Sequence, residues 1–165
     1  MSVCGQLHSR YIVVVQSPAS SEFEIVRLAA PDRDCGRALF ALMAHVFGEQ
    51  AGELSDAYID TLLARPDAWV LAALDGERIV GGLVAHELLM TRAEQRELFV
   101  YDVAVDAAHQ RRGCGRALFE ALQRQAFAAG IANIFVAADN DDDHAVAFYR
   151  AIGGEMQPVT MFTFE

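Results

Sequence analysis

Apolar and polar positions follow two different periods along the chain, and these periods predict strands and helices in a mixed order. Apolar runs of strand length predict strands at residues 23–28, 69–74, 79–89, 98–105, 134–138 and 159–164. Helical spacing of apolar side chains predicts helices that begin near Pro31, Ser55, Cys114 and His144. The resulting order, β-α-α-β-β-β-α-β-α-β, predicts a mixed α/β domain in which helices flank one sheet.

Glycines and a crossover indicate how these strands connect. Asp75-Gly76 separates two apolar runs and predicts a hairpin. Gly81-Gly82 predicts a bulge or a close backbone approach in the strand that follows. The strand at 134–138 follows a helix, so we expect it to lie parallel to the strand at 98–105.

The N-terminal segment differs in character from the rest of the chain. Residues 1–22 contain a polar and serine-rich stretch, and we expect a poorly ordered extension before a single domain at residues 23–165. The apolar run at 11–15 is too short for a signal-peptide core or a membrane span. We therefore expect a cytoplasmic protein with no membrane partner.

Composition narrows the classes of function. The chain has 165 residues, is 53% hydrophobic and carries a net charge of −10, as expected for a folded domain that does not bind nucleic acid. The negative charge is compatible with a cationic substrate, although solubility alone also accounts for it. The three cysteines show no metal-ligand spacing, so no metal is expected.

The most informative stretch joins the strand at 98–105 to the helix after it. A glycine-bearing loop that opens a helix presents backbone N–H groups and a positive dipole end to an anion. Gly113 and Gly115 remove side chains that would hold a phosphate away. Positive charge comes from Arg111, Arg112 and Arg116. The stretch fits neither a P-loop, which needs Gly-Lys-Ser/Thr, nor a dinucleotide fingerprint, since Leu118 occupies its third small position.

Two motifs together resemble the GNAT superfamily of N-acetyltransferases over residues 23–165. Gln110-Arg111-Arg112-Gly113-Cys114-Gly115 resembles its acyl-CoA loop, Gln/Arg-x-x-Gly-x-Gly/Ala. The second motif, Ala-x-x-Phe-Tyr-x-x-x-Gly, is matched by Ala145, Phe148, Tyr149 and Gly153. The resemblance implies the GNAT fold, with a mixed sheet of six to seven strands, and acetyl-CoA as co-substrate.

The resemblance also implies roles for particular residues. Tyr149 would protonate the departing thiolate, although its helical spacing also suits a core aromatic. The backbone at Val103 would polarise the thioester carbonyl. The full set implied to contact acetyl-CoA is Val103, Ala104, Val105, Gln110, Arg111, Arg112, Gly113, Cys114, Gly115, Arg116 and Tyr149.

Asp102 is the second candidate catalytic residue. A carboxylate inside an apolar strand must be paired, hydrogen-bonded or neutral, because bare burial is costly. Beside a thioester, a carboxylate with a raised pKa could hold an ammonium group and remove its proton, directly or through water. The alternative is a structural aspartate that accepts backbone N–H groups at a bulge.

Acidic loops suggest the substrate. The run at 139–143 is an aspartate-rich loop that fails as a calcium loop, and either Asp142 or Asp143 can cap the next helix. With the acidic loop at 49–56 and Asp102, it would line a cleft suited to a polycation. The candidate substrate-binding residues are Asp102, Asp139, Asp142 and Asp143.

This arrangement resembles the type I aminoglycoside 3-N-acetyltransferases, the gentamicin acetyltransferases. The resemblance implies transfer of acetyl to the 3-amino group of an aminoglycoside. A polyamine or peptide amine acetyltransferase and a non-catalytic CoA sensor are the alternatives. The superfamily often dimerises, so a homodimer is expected. Cys114 is interpreted as a loop residue, and His109 and His144 as solvated loop histidines more often than proton relays.

Overall fold

A computed structural model describes residues 22–49 and 52–164, so the expectation for an N-terminal extension falls on residues that lie almost entirely outside this range. Five strands form one sheet in the order β1-β2-β3-β4-β5. They span Glu24–Leu28 (β1), Ala68–Asp75 (β2), Arg78–Leu89 (β3), Arg96–Val105 (β4) and Asn133–Val136 (β5). The helices span Arg33–Val46 (α1), Asp56–Leu63 (α2), Cys114–Ala128 (α3) and Asp143–Ala151 (α4).

The topology confirms the predicted mixed α/β fold. Strands β1 to β4 pair antiparallel in sequence order, whereas β5 follows the α3 crossover and pairs parallel with β4. The β2–β3 hairpin is confirmed one residue further along, because its two-residue turn consists of Gly76 and Glu77. Gly76 has a φ of 61°, the left-handed conformation that such tight turns favour.

The sheet has five strands in the described range, where the sequence predicted six to seven. Residues 159–164 alternate apolar and polar side chains but pair with no described strand, and Phe164 is 93% exposed. The prediction of a strand there is wrong for this structure. An alternating pattern indicates which side chains would share a face, but a strand also needs a neighbour to accept its hydrogen bonds.

Two hydrophobic clusters cover the two faces of the sheet. On one face α3 packs Leu118 and Leu122 against Leu83 and Leu98. On the other, α1 and α2 pack over the sheet through Leu39, Met43, Ile59 and Leu63. We call these the α3 face and the α1/α2 face.

The paired glycines of β3 fit a close approach on each face. A Cβ on Gly82 would collide with the Leu39 Cδ1 atom of α1. A Cβ on Gly81 would lie 3.1 Å from the Cys114 Sγ atom of α3. The close approach predicted for this pair is therefore confirmed, and it allows both helices to pack tightly on the middle of the sheet.

Candidate active site

The central strand β4 carries a bulge where it pairs with β3. Val84 pairs with Asp102 and Ala85 pairs with Val100, so Tyr101 is the extra residue on β4. Directly paired residues in an antiparallel sheet point to the same face. Asp102 therefore shares the α1/α2 face with Val84, which belongs to the cluster under α1 and α2.

Strands β4 and β5 separate beyond the bulge. Their last pair is Val100 with Val136, where β5 ends, while β4 continues to Val105. The unpaired stretch contains the predicted backbone positions, which are Val103, Ala104 and Val105. Within residues 22–49 and 52–164, no strand pairs with this stretch on the β5 side. Apart from the Val105 carbonyl, which accepts from Gln110, the backbone groups that point to the β5 side are therefore available to an extended ligand.

The loop after β4 is tied to the end of the strand. Gln110 donates from Nε2 to the Val105 carbonyl oxygen over 3.1 Å. Gly113 is the N-cap of α3 with a φ of 91°, and Arg111 also has a positive φ of 62°. A Cβ on Gly113 would meet nothing within 4 Å, so the surface there is open. The first N–H groups of α3 lack acceptors within the helix and lie at its positively polarised end, next to this open surface.

Gly115 has a close contact that the motif did not predict. A Cβ there would lie 3.1 Å from the Phe148 Cε2 atom of α4. The missing side chain therefore makes room for an aromatic ring, and its role in binding acetyl-CoA stays a prediction. The glycine therefore sets the approach of α4, which carries Tyr149, to the start of α3.

The three arginines of the loop have unequal surroundings. The Arg112 guanidinium forms ion pairs with Glu22 and, at 3.6 Å, with Asp75. Arg116 donates to the Ala151 carbonyl oxygen at the end of α4 over 3.0 Å. Arg111 is exposed and forms no hydrogen bond or ion pair with a described residue. Arg111 is thus the arginine with a fully available charge, while the other two also hold the loop in place.

Cys114 and the two histidines are positioned for structure. Burial raises the pKa of the Cys114 thiol to about 11, which outweighs any acidifying effect of the helix end. His109 is buried, with Nδ1 3.2 Å from Asp106 and Nε2 3.7 Å from Asp75, so the interpretation as a solvated histidine is wrong for this residue. His144 is exposed, and its backbone N–H donates to Asp142 over 3.0 Å.

Tyr149 lies on α4 in an aromatic environment at the open end of β4. Its ring packs edge-on against Phe119 at 5.6 Å and Phe148 at 5.1 Å between centroids. Burial raises the pKa of the Tyr149 hydroxyl, and the negative charges of Asp142 and Asp102 raise it further. The hydroxyl is therefore protonated at neutral pH and faces the field of both carboxylates, as a proton donor requires.

Asp102 is half-buried and lacks a partner in the described structure. Within residues 22–49 and 52–164 its carboxylate forms no hydrogen bond or ion pair, so the bulge is present but the backbone contacts of a structural aspartate are not. Burial raises the pKa of Asp102, the Glu49 carboxylate raises it further, and His86 opposes them. A carboxylate that is costly to leave charged and unpaired favours a cationic ligand or a proton.

The acidic loops divide into structural and available carboxylates. Asp142 is the N-cap of α4 and accepts from Ala145 N–H over 2.9 Å, as predicted for one residue of this run. Asp139 accepts from Asp141 N–H over 3.0 Å and remains exposed. Asp143 is exposed in the first turn of α4.

The loop before α2 divides in the same way. Asp56 is ion-paired with Arg33 at 3.7 Å and with Arg37, so its charge is compensated within the domain. Glu49 acts on Asp102 instead. Only part of the predicted acidic lining therefore bears on the candidate site.

Sequence reasoning missed His86, which influences the charge of Asp102. Its signal was a polar side chain inside the apolar run of β3, two residues after the position that pairs with Asp102. That signal needed the strand register, which the sequence does not supply.

The described residues offer neither a metal site nor a membrane span. They contain no group of three His, Cys, Asp or Glu side chains placed to hold a metal ion. No helix in the described ranges has the length and apolar character needed to cross a membrane.

Residues 36–153 match the model of the acetyltransferase (GNAT) family, so the chain belongs to that family. A histone acetyltransferase of Glycine max is 29% identical over 86% of this chain, and a probable acetyltransferase of the same plant is 28% identical over 87%. The chain spans 66% and 62% of the lengths of these two relatives.

Solved structures give more complete matches. An aminoglycoside acetyltransferase from an uncultured soil metagenomic sample, crystallised with sisomicin, is 30% identical with a TM-score of 0.84. The match covers 87% of this chain and 95% of that one. A second soil aminoglycoside acetyltransferase is 33% identical with a TM-score of 0.81, over 87% of this chain and 97% of that one. A third structure, of an aminoglycoside 6'-acetyltransferase with a CoA bisubstrate analogue, is 14% identical and shares the fold.

Proposed function

We propose that this protein is an acetyl-CoA-dependent N-acetyltransferase whose acceptor is an amine of a small polycation, most specifically the 3-amino group of an aminoglycoside. The observation that carries the proposal is the Asp102 carboxylate on β4, two residues beyond the last pair of β4 with β5. The carboxylate lacks a partner among the described residues, and its charge raises the pKa of the Tyr149 hydroxyl. We therefore assign Asp102 as the proton acceptor and Tyr149 as the proton donor.

The residues around the opening fit acetyl-CoA as co-substrate. The N-terminal N–H groups of α3 and the exposed Arg111 would bind phosphate, and the open surface at Gly113 allows its approach. The unpaired backbone of β4 at Val103 and Val105 would bind the extended pantetheine arm. Acetyl-CoA supplies the acetyl group as a thioester.

In this proposal the residues of the chain transfer protons and position the reacting groups. Asp102 holds the substrate ammonium and takes its proton, so that the neutral nitrogen can form the new C–N bond. The Val103 N–H polarises the carbonyl as the C–S bond breaks. Tyr149 gives its hydroxyl proton to the departing thiolate and is reprotonated by the second proton that the acetylated nitrogen loses. Asp102 releases the first proton to solvent, so the products are the acetylated amine, CoA and one proton.

Similarity to aminoglycoside acetyltransferases supports the substrate class. Two such soil enzymes share at least 30% identity with this chain, and one was crystallised with sisomicin. The choice of the 3-amino group rests on the resemblance of the segment 101–105 and of the run around 139–149 to the gentamicin acetyltransferases.

A peptide amine is the second candidate acceptor, because a relative from Glycine max is a histone acetyltransferase. The acidic cleft also suits a linear polyamine. A CoA sensor without turnover is disfavoured, since sensing would need neither the unpaired Asp102 nor the protonated Tyr149.

Thiol release from acetyl-CoA, followed with a chromogenic thiol reagent, tests these alternatives. The panel contains gentamicin, kanamycin, spermidine and a lysine peptide. The 13 lysine and arginine positions of the chain are all arginine, so lysine autoacetylation cannot add to the background. We expect turnover with gentamicin at low KM and little with the peptide, with NMR of the product giving the acetylated position. Binding of CoA with no acetylated product from any amine would contradict the proposal.

Oligomeric state and location remain predictions of the same proposal. We expect a homodimer by sedimentation velocity and recovery from the cytoplasmic fraction of the source cells. A monomer at assay concentration would contradict the predicted homodimer. Secretion of the protein would contradict the predicted cytoplasmic location.

A further inference from the structure

Four aromatic rings form a continuous patch across three strands, and no step of the proposed chemistry uses them. We define the aromatic patch as His86 of β3, Phe99 and Tyr101 of β4, and Phe135 of β5. Tyr101 packs edge-on against His86 at 5.8 Å and against Phe99 at 6.0 Å, and Phe99 lies 5.3 Å from Phe135. The patch is thus a connected surface rather than a set of scattered rings.

The strand register places this patch on the α1/α2 face. Phe99 pairs with His86 on one side and with Phe135 on the other, so the three side chains lie in one row. The neighbours of Phe135, Ile134 and Val136, pack into the opposite cluster beneath α3. The patch therefore shares its face with Asp102.

The bulge brings the patch directly to the candidate catalytic carboxylate. In a regular strand Tyr101 and Asp102 would point to opposite faces. Because Tyr101 is the extra residue of the bulge, it contacts His86 on the same face that Asp102 occupies. An aromatic ring and a half-buried carboxylate thus stand side by side.

Two of the four rings are exposed, and His86 and Phe99 are partly buried. Tyr101 is 64% exposed and Phe135 is 40% exposed. The cluster that α1 and α2 cover on this face includes no residue of β5. An exposed aromatic patch beside a charged site indicates a binding surface.

The charges around the patch select its ligand. Aromatic faces attract ammonium groups, and the effect increases when a carboxylate lies next to them. Asp102 places a carboxylate at the bulged end of the patch, and the Glu49 charge is near enough to raise the pKa of that carboxylate. A hydrophobic partner would leave the Asp102 carboxylate without a cation, whereas a polycation would satisfy both the carboxylate and the rings.

We propose that the aromatic patch is the acceptor subsite, which binds a ring-bearing polycationic amine with one amino group at Asp102 and the adjoining ring and ammonium groups against Tyr101 and Phe99. This inference rests on the proposed function. It adds the residues that bind the part of the substrate that does not react.

Truncation of the exposed ring tests the subsite. Tyr101→Ala should raise the KM and the calorimetric Kd for gentamicin by about fivefold to thirtyfold, in line with one cation–π contact of about 1–2 kcal/mol. The KM for acetyl-CoA should stay unchanged. Tyr101→Phe should retain most of the affinity because it keeps the ring, and Tyr101→Leu should lose it although it remains apolar.

Phe127→Ala is the matched control, because Phe127 is an 82% exposed aromatic residue of α3, which packs on the opposite face of the sheet. Thermal melts of all variants check folding. Unchanged gentamicin binding in Tyr101→Ala would overturn the inference. Equal weakening in Tyr101→Leu and Tyr101→Phe would overturn the role of the ring.

Two further outcomes distinguish the acceptor subsite from the catalytic function and from an interface between copies of the chain. If wild-type protein binds gentamicin but does not acetylate it, the proposed function fails, while a weaker Kd in Tyr101→Ala still supports the subsite. If Tyr101→Ala dissociates a dimer in sedimentation without changing amine binding, the patch is an interface between copies and the inference is wrong.

Discussion

The two sides of the gap between β4 and β5 are built in contrasting ways. The side that we propose binds phosphate comes from one continuous stretch, residues 105–116, whose groups are largely engaged by the domain itself. The acceptor side combines Glu49, residues 99–102 and Tyr149, which are far apart in sequence, and its carboxylate is unpaired in the described residues. In residues 105–116, structural contacts preorganise the loop. On the acceptor side, a charge is left that the substrate can pair with.

The largest effect is expected at the proton donor where the two sides meet. Tyr149→Phe should lower kcat by about 100-fold or more with little change in either KM, because it removes the proton for the thiolate but keeps the ring in its aromatic contacts. Steady-state thiol release checks this. Tyr58→Phe, at an exposed tyrosine of α2, is the matched control. An unchanged kcat would remove Tyr149 from the mechanism.

The next effect concerns the proton acceptor. Asp102→Asn should lower kcat/KM for the amine by about 100-fold at neutral pH and should lose the acid limb that Asp102 sets. In wild type the raised pKa of Asp102 means that activity falls, as pH decreases, at a higher pH than for an ordinary aspartate. The variant should recover partly at high pH, where more substrate amine is neutral, so its pH profile should follow the pKa of the amine. A pH profile of Asp102→Asn that keeps the wild-type acid limb would contradict the assignment.

Glu49→Gln tests the assignment of Asp102 as the proton acceptor while Asp102 itself stays unchanged. The Glu49 charge raises the pKa of Asp102, so its removal should lower that pKa and move the acid limb of kcat/KM to lower pH. Asp56→Asn is the control, since that carboxylate pairs with Arg33 and Arg37 instead. A shift of equal size in both variants would indicate a general charge effect rather than a local one.

The two glycines of the loop should respond differently to alanine. Gly115→Ala would crowd Phe148, cost about 1–3 kcal/mol of stability and lower kcat, because Tyr149 is the next residue on α4. Gly113→Ala would cost about 1–2 kcal/mol through its positive φ and should raise the KM for acetyl-CoA instead. Chemical denaturation with kinetics measures both. If Gly115→Ala and Gly113→Ala change kcat and the KM for acetyl-CoA in the same way, the two glycines do not have separate roles.

The smallest effect is expected at the exposed arginine of the loop. Arg111→Gln should raise the KM for acetyl-CoA by about twofold to fivefold, a difference that added salt should diminish, since an exposed charge contributes up to about 1 kcal/mol. Arg92→Gln, on the connection between β3 and β4 at the other end of the sheet, is the control. No change at low salt would remove Arg111 from phosphate binding.

Local patterns predicted the elements well because each depends on neighbours in sequence. The hairpin at Gly76, the helix that opens after Gly113 and the Asp142 cap all follow from short-range geometry and hydrogen bonding. The strand at 159–164 failed for the opposite reason. Its apolar alternation was real, but pairing needs a neighbouring strand, and none of the described strands provides one.

Local reasoning also missed some tertiary contacts within correctly predicted elements. Gly115 fits the motif, and its close contact with Phe148, 33 residues later in the chain, was not predicted. His109 was interpreted as a solvated loop histidine but is buried between Asp75 and Asp106. Both contacts were missed because residue type and spacing do not specify which distant side chain will fill a space.

The sequence by itself determined the helices and most of the strands, and it provided the loop that we propose binds phosphate and the two residues that we assign to proton transfer. Only the tertiary structure decided that β4 bulges at Tyr101, that Asp102 has no partner in the described residues, and that Glu49 and His86 set its environment. The physical reason is range. Capping and helix dipoles act within a few residues, whereas strand register, burial and Coulomb interactions depend on which distant segments the fold brings together.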